Sequence, residues 1–206
     1  MSNTTLTTGM VRFSYLHLTK PYAQTPGSKE KYSATILIPK TDTETKQKID
    51  AAIAAATQNG ISAKWGGTAP AVVPNPLHDG DGIRPNGEKF GPECAGCWVL
   101  TANANVEHKP TVVDSNLQEI INPTEIYSGM YGRASINFFP YAFAGRKGIG
   151  CGLGPVQKLR DGDPLGGSAV SAAEAFGTPL PGQNNANAQP KVNPITGQPI
   201  DQDAPF

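Results

Sequence analysis

The stretch Met130-Tyr131-Gly132-Arg133-Ala134-Ser135-Ile136-Asn137-Phe138-Phe139 alternates with a period of two, and that period decides the fold class. Met130, Ala134, Ile136 and Phe138 fall on one face, and Tyr131, Arg133, Ser135, Asn137 and Phe139 on the other. An apolar inner row is what a half-buried strand requires. The outer row is less ordinary, because exposed rings beside a cation serve little purpose on a solvated sheet. On its C-terminal side, Ile149 to Leu159 reads as the next strand, joined through 142–148, where Arg146-Lys147 between glycines predicts a basic hairpin tip. Glycines at 148, 150, 152 and 154 alternate along that strand, which permits tight curvature or the close approach of another backbone.

Earlier in the chain, residues 10–18 alternate as a strand with Val11, Phe13 and Tyr15 on one face, ended by Lys20-Pro21-Tyr22. Lys31 to Ile38 forms a second strand that stops at Pro39. Thr41-Asp42-Thr43-Glu44 has the spacing of a capping box, with Thr41 at the N-cap. Ile49, Ala52, Ile53 and Ala56 follow at helical spacing and predict one amphipathic helix over about 41–58, ended by Asn59-Gly60. Residues 66–93 are rich in Gly and Pro and lack periodicity; so long an excursion in a compact domain is usually functional. Strand signals resume at Cys97–Ala102 and Thr111–Asp114. Short strands, one covering helix and long loops predict a mainly β domain, a small and partly open barrel.

The 206 residues divide into a body of 1–165 and a tail of 166–206. From Gly177 to Phe206, 17 of 30 positions are Pro, Gly, Asn or Gln, too little apolar surface to offset the entropy of ordering, so the tail is expected to be disordered. The chain is neutral overall, yet residues 1–160 hold 16 basic against 12 acidic side chains, and 161–206 hold 1 against 5. A basic body with an acidic arm suits a polyanionic partner. The N-terminus has no basic start or apolar run, so a secretory signal is not expected, and no stretch reaches the length of a membrane span. Three cysteines fit reduced thiols in a cytoplasmic setting better than a disulfide framework.

Exposed rings interleaved with cations match unpaired nucleobases, which stack on aromatics, and phosphates, which pair with Lys and Arg. On that ground the candidate nucleic-acid contacts are Tyr131, Arg133 and Phe139 on the strand, and Arg146 and Lys147 at the hairpin tip. Lys20, Tyr22, Lys31 and Tyr32 join them from the first hairpin, with Lys64, Trp65, Arg84 and Lys89, beside Phe90, from the irregular excursion. Catalytic readings fail. Neither a phosphate-binding Gly-Lys-Ser/Thr loop nor His-Glu-x-x-His occurs, and Asp79-Gly80-Asp81-Gly82 lacks the oxygen ligand at 83 and the Glu at 90 that a calcium loop needs. Cys94-Ala95-Gly96-Cys97 has the spacing of half a zinc site, but closing it would take Cys151 and a histidine from separate segments. Two reduced thiols and no metal or cofactor are expected.

Asp201-Gln202-Asp203-Ala204-Pro205-Phe206 puts a phenyl ring beside a free carboxylate, suited to a partner offering an apolar pocket next to a cation. This tip resembles that of bacterial single-stranded DNA-binding proteins. The body resembles a family of tailed-phage single-stranded DNA-binding proteins through Asn75-Pro76-Leu77-His78-Asp79-Gly80-Asp81, Ala95–Trp98, Lys109–Asp114, Tyr127–Ala134 and Lys147 through Gly162. His78 and Cys97 depart from that pattern, where Arg and His are common. The resemblance implies a five-stranded OB-fold that coats single-stranded DNA without marked sequence preference in phage replication, recombination or repair, needing no cofactor. It implies that Asp201, Asp203, Pro205 and Phe206 dock replication or repair proteins. Oligomeric state, and weaker binding of duplex DNA or RNA, stay open at this level.

A non-catalytic adaptor that packs another protein on the ring-bearing face is the rival reading. The acidic tail also carries a consequence for binding: it can compete with phosphates for the basic face. Deleting 177–206 should therefore raise affinity for DNA at low salt in a fluorescence titration, and unchanged affinity would remove the competition.

Overall fold

The computed structural model describes residues 3–143 and 145–166. It contains eight strands and one long helix. They are β1 (Thr5–Thr7), β2 (Val11–Tyr22), β3 (Lys31–Pro39), α1 (Thr43–Ala63), β4 (Leu77–Asp79), β5 (Cys97–Asn105), β6 (Val112–Val113), β7 (Tyr131–Phe143) and β8 (Arg146–Arg160). Five of the strands form a ring. β2 pairs with β3, β3 with β5, β5 with β8 in parallel, β8 with β7, and β7 returns to β2. The other three are short additions: β1 on β7, β4 on β5 and β6 on β8.

The ring is the five-stranded OB-like arrangement the sequence pointed to, but it is not a cleanly closed barrel. β7 and β8 pair along almost their whole lengths, and β3 and β5 over nine consecutive residues. The two remaining seams are thin. β5 meets β8 at Asn103–Gly152 alone, and β7 meets β2 at Val11–Gly132 and Arg12–Tyr131. Inward residues follow the pleat: Ala34, Ile36 and Ile38 from β3, Leu100 and Ala102 from β5, Ala134, Ile136 and Phe138 from β7, Ile149, Cys151 and Leu153 from β8. The alternation read at 130–139 is thus realised, with the strand running on to Phe143.

Two expectations shift in detail. The helix starts at Thr43, with Asp42 rather than Thr41 as its cap: the Thr45 amide donates to Asp42 Oδ1 at 3.0 Å. It also passes through Asn59-Gly60 to Ala63, because Gly60 serves packing instead of termination. A Cβ there would stand 2.8 Å from the Trp65 ring, so the glycine makes room for that indole. The alternating glycines of β8 do a related job. The ring of Phe139 lies over Gly150 and that of Tyr141 over Gly148, where any side chain would displace them.

The thin β2–β7 seam is held from outside by the segment 161–165. Arg12 donates to the Gly129 and Asp163 carbonyls at 3.3 and 2.7 Å, the Leu165 amide to the Ser128 carbonyl at 2.7 Å, and the Gly162 amide to the Tyr127 hydroxyl at 3.1 Å. Gly129 has a φ of +116°, and a Cβ on it would collide with the Asp163 carbonyl. Gly129→Ala should therefore cost about 2–3 kcal/mol in chemical denaturation, combining a strained backbone with an overpacked contact. A loss near zero would show that the strap does not hold the seam.

Candidate nucleic-acid interface

The outer face of β2, β3 and β5 carries a groove of about 700 Å³. Its floor follows from strand parity: residues alternate with the buried row, so Ser33 and Thr35 of β3 and Val99 and Thr101 of β5 point outward. One wall is β2, and a bulge makes it. Between Ser14 and His17 the register with β3 slips by one residue, and Tyr15 takes a φ of +45°. The extra residue re-aims the side chains that follow it, up to a second irregularity in the register between His17 and Tyr22. Tyr15, expected to share the inner face of Val11 and Phe13, instead turns outward and is 60 % exposed, while Leu18 takes the inward place. The same slip turns His17 outward to stack on Tyr22, ring centroids 4.5 Å apart and planes 10° from parallel.

The opposite wall is the excursion of residues 77–94. Asp79 and Asp81 both pair with Lys40, and Asp81 Oδ1 also accepts from the Gly96 amide at 2.9 Å. The lysine holds both carboxyls below the usual range, chiefly through these hydrogen bonds. The clamp fixes a small hairpin in which Ile83 bridges Lys89 and the Arg84 amide donates to the Glu88 carbonyl at 2.7 Å. Arg84, Pro85, Asn86 and Phe90 from that region line the groove. The Arg84 guanidinium lies 5.1 Å from the Phe90 ring centroid, and its Nε is buried with no hydrogen-bond partner among the described residues. His78 stands in the same wall, and burial lowers its pKa from the ordinary 6.5.

The predicted contacts divide among several places. Tyr22 and Arg84 line the groove, Lys20 and Lys31 stand exposed at the strand ends beside Tyr22, and Lys89 is exposed on the small hairpin. Tyr32 does not belong with them. Its place on β3 has inward parity, and it is buried at 8 % exposure among the core side chains. Trp65 is likewise buried, donating from Nε1 to the Tyr141 carbonyl at 3.0 Å, so neither ring is free to meet a base. Lys147 donates to the Trp65 carbonyl at 2.9 Å and lies within β8, because the hairpin turn comes earlier than the sequence suggested. Lys64 caps the helix and is exposed, as is Arg146. Tyr131, Arg133 and Phe139 do share the outer face of β7, but the Tyr131 ring is covered by guanidinium, with Arg160 3.7 Å and Arg12 5.5 Å from its centroid. It cannot serve as an open stacking platform. Phe139, 42 % exposed, remains accessible.

Asp201, Asp203, Pro205 and Phe206 lie outside the described residues. Among the described residues no group of three or more His, Cys, Asp or Glu could hold a metal ion, and no helix is long and apolar enough to cross a membrane. Cys94 packs with Leu37 and Val99 under the groove, and burial pushes its thiol up to about 11; Cys151 faces the barrel core, where burial pushes it to about 12.

A family model described as the ssDNA-binding protein of Enterobacter phage Enc34 matches residues 4–188. The chain belongs to that family. It is similar to the solved single-stranded DNA-binding protein from bacteriophage Enc34 in complex with ssDNA, at 32 % identity and a TM-score of 0.66, covering 79 % of this chain and 90 % of that one. A protein designated p50 of Acyrthosiphon pisum secondary endosymbiont phage 1 is 31 % identical over 176 residues, which is 81 % of this chain and 89 % of that protein. The gp2.5 protein of bacteriophage T7 shares the fold at 15 % identity and a TM-score of 0.55, covering 86 % of this chain and 96 % of gp2.5.

Burial of an imidazole disfavours its charged form, and this lowers the pKa of His78 from the ordinary 6.5. Imidazole proton NMR should place its midpoint below 6.5, and Phe90→Ala, which opens the groove beside it, should bring the midpoint back up. A midpoint at or above 6.5 in the unmodified protein would contradict the burial of this side chain.

Proposed function

We propose that the protein coats single-stranded DNA without marked sequence preference, in phage DNA replication, recombination or repair, and does so without catalysing a reaction. The observation that carries this is the groove on β2, β3 and β5: exposed Tyr15, the His17–Tyr22 stack and Phe90 beside an arginine whose Nε is unpartnered. Bases have apolar faces that any ring can cover, and phosphates carry a charge that guanidinium can meet in two-pronged fashion. Hydroxyls of Ser33, Thr35 and Thr101 along the floor supply hydrogen bonds without the fixed donor pattern that would select one base. Membership in the Enc34 family, with a relative solved bound to ssDNA, supports the same reading.

In this reading Tyr15, Tyr22 and Phe90 stack bases, and Arg84, Lys20, Lys31 and Lys89 neutralise the backbone. Phe139, Arg146 and Lys64 stand as accessory contacts outside the groove. The body of 1–165 is the binding domain, and the tail of 166–206 recruits replication or repair proteins through Asp201, Asp203, Pro205 and Phe206. The expected place of action is the cytoplasm of the host cell.

Stacking is worth about 1–3 kcal/mol per base, so Tyr15→Ala and Phe90→Ala should each weaken binding of a polythymidine oligomer by roughly 5- to 150-fold. Both rings lie outside the main core cluster, so the thermal midpoint should change little. Fluorescence titrations at two salt concentrations measure the loss. Wild-type affinity in both variants would exclude the groove as the binding surface.

A further inference from the structure

Lysine and arginine are used differently across this molecule. All five ion pairs of the described residues take lysine as the cation, and none of the five arginines meets a carboxylate. Arg84 is in the groove and Arg146 at the β7–β8 hairpin. The other three, Arg12, Arg133 and Arg160, come together on the outer face of three adjoining strands. The register puts Arg12 opposite Tyr131 and Tyr131 opposite Arg160, and Arg133 follows two residues along the same face of β7.

Each of these guanidiniums is fixed in place by neutral groups. The Arg160 guanidinium lies over the Tyr131 ring, 3.7 Å from its centroid. Arg12 donates to the Gly129 and Asp163 carbonyls. Arg133 donates from Nε to Gln157 Oε1 at 2.7 Å, and buried Gln157 is held in turn by donating to the Asp114 carbonyl at 3.0 Å. The nearby Asp161 carboxylate is occupied by Lys158. Three positive charges are thus pre-oriented, and no carboxylate among the described residues pairs with them. Planar guanidiniums with free outer N–H edges are suited to phosphate.

We infer that Arg12, Arg133 and Arg160, arranged around Tyr131, form a second phosphodiester-binding site for single-stranded DNA, separate from the groove. The inference rests on the groove reading and extends it. Segment 161–165 joins the two places: Gly162 and Asp163 meet Tyr131 and Arg12, and Leu165 packs against the cluster of Leu37, Cys94 and Val99 under the groove. A strand leaving the groove crosses this strap and sets its phosphates on the arginines. Tyr131 acts here as the support that aims Arg160.

The test uses the full chain carrying Arg133→Gln and Arg160→Gln, both exposed positions, against oligothymidines of about 8 and about 30 nucleotides. The short oligomer fills the groove alone and should bind as to wild type. The long one should bind about tenfold more weakly at low salt. Its log–log salt slope should be shallower by about 1.4, the share of two single-strand phosphates. Unchanged affinity and slope for the long oligomer would overturn the second site while leaving the groove in place. Equal losses for both lengths would merge the patch with the groove, and tighter binding would assign it to the acidic tail; either result overturns the proposal. Failure of wild type to bind either oligomer would remove the groove reading, and this inference with it.

Discussion

Everything in this domain depends on one strand serving two neighbours. β7 zips to β8 along almost its whole length and must also return to β2 to close the ring, where only two residue pairs are available. Closure therefore cannot come from the ladder alone. Backbone hydrogen bonds of Phe13 with Met130 and Gly129 extend the seam, and from the outside Arg12 and Ser128 are tied to Asp163 and Leu165. The absence of a side chain at Gly129 is what lets the strap approach. Among the described residues the outer face of β2, β3 and β5 carries no covering structure at its centre, and the groove is what remains.

The groove needs a second departure from regularity. Alternation alone would bury Tyr15 beside Phe13 and take that ring away from the floor of Ser33, Thr35 and Thr101. The bulge reverses that outcome at the cost of a left-handed tyrosine, a conformation disfavoured for any side chain with a Cβ. Such strain persists only where neighbours over-determine it, and it concentrates at working surfaces. Here the neighbours are strong. β3 pairs to β2 on both sides of the slip, and the Leu16 amide donates to Ser128 Oγ at 3.0 Å.

How much of this was legible in the sequence follows from range. Periodicities of two and of 3.6 are local, so the strands at 31–39 and 130–139 and the helix stripe of Ile49, Ala52 and Ala56 could be read directly. The rings of Tyr131 and Phe139 were correctly placed on an outer face. What covers a face is not local. Arg160 is 29 positions from Tyr131, and the contact that occupies the ring exists only once β7 and β8 are paired. Tyr32 and Trp65 looked accessible because basic residues flank them, yet parity buries one and the helix end the other. The groove residues missed include Tyr15, His17, His78 and the floor hydroxyls of Ser33, Thr35 and Thr101. A single-residue bulge leaves no signature in composition, and His78 acquires its wall position through the pairing of β4 with β5, opposite Val99, 21 residues further along the sequence. The Gly- and Pro-rich excursion was the available signal, since a segment that long without periodicity is seldom idle.

The split between lysine and arginine ties the fold to its surface chemistry. Lys40, Lys46, Lys48 and Lys158 hold carboxylates, a task that a mobile ammonium performs at little geometric cost. Arg12, Arg84, Arg133 and Arg160 are held by rings, amides and carbonyls, which fix orientation and leave the charge unspent. A domain that needed its guanidiniums for stability would pair them. Among the described residues all five lack a carboxylate partner, which raises the self-repulsion of the body, a cost that a polyanionic ligand removes on binding. The positive potential is therefore a property of how individual side chains are partnered, and the neutral formal charge of the whole chain gives no sign of it.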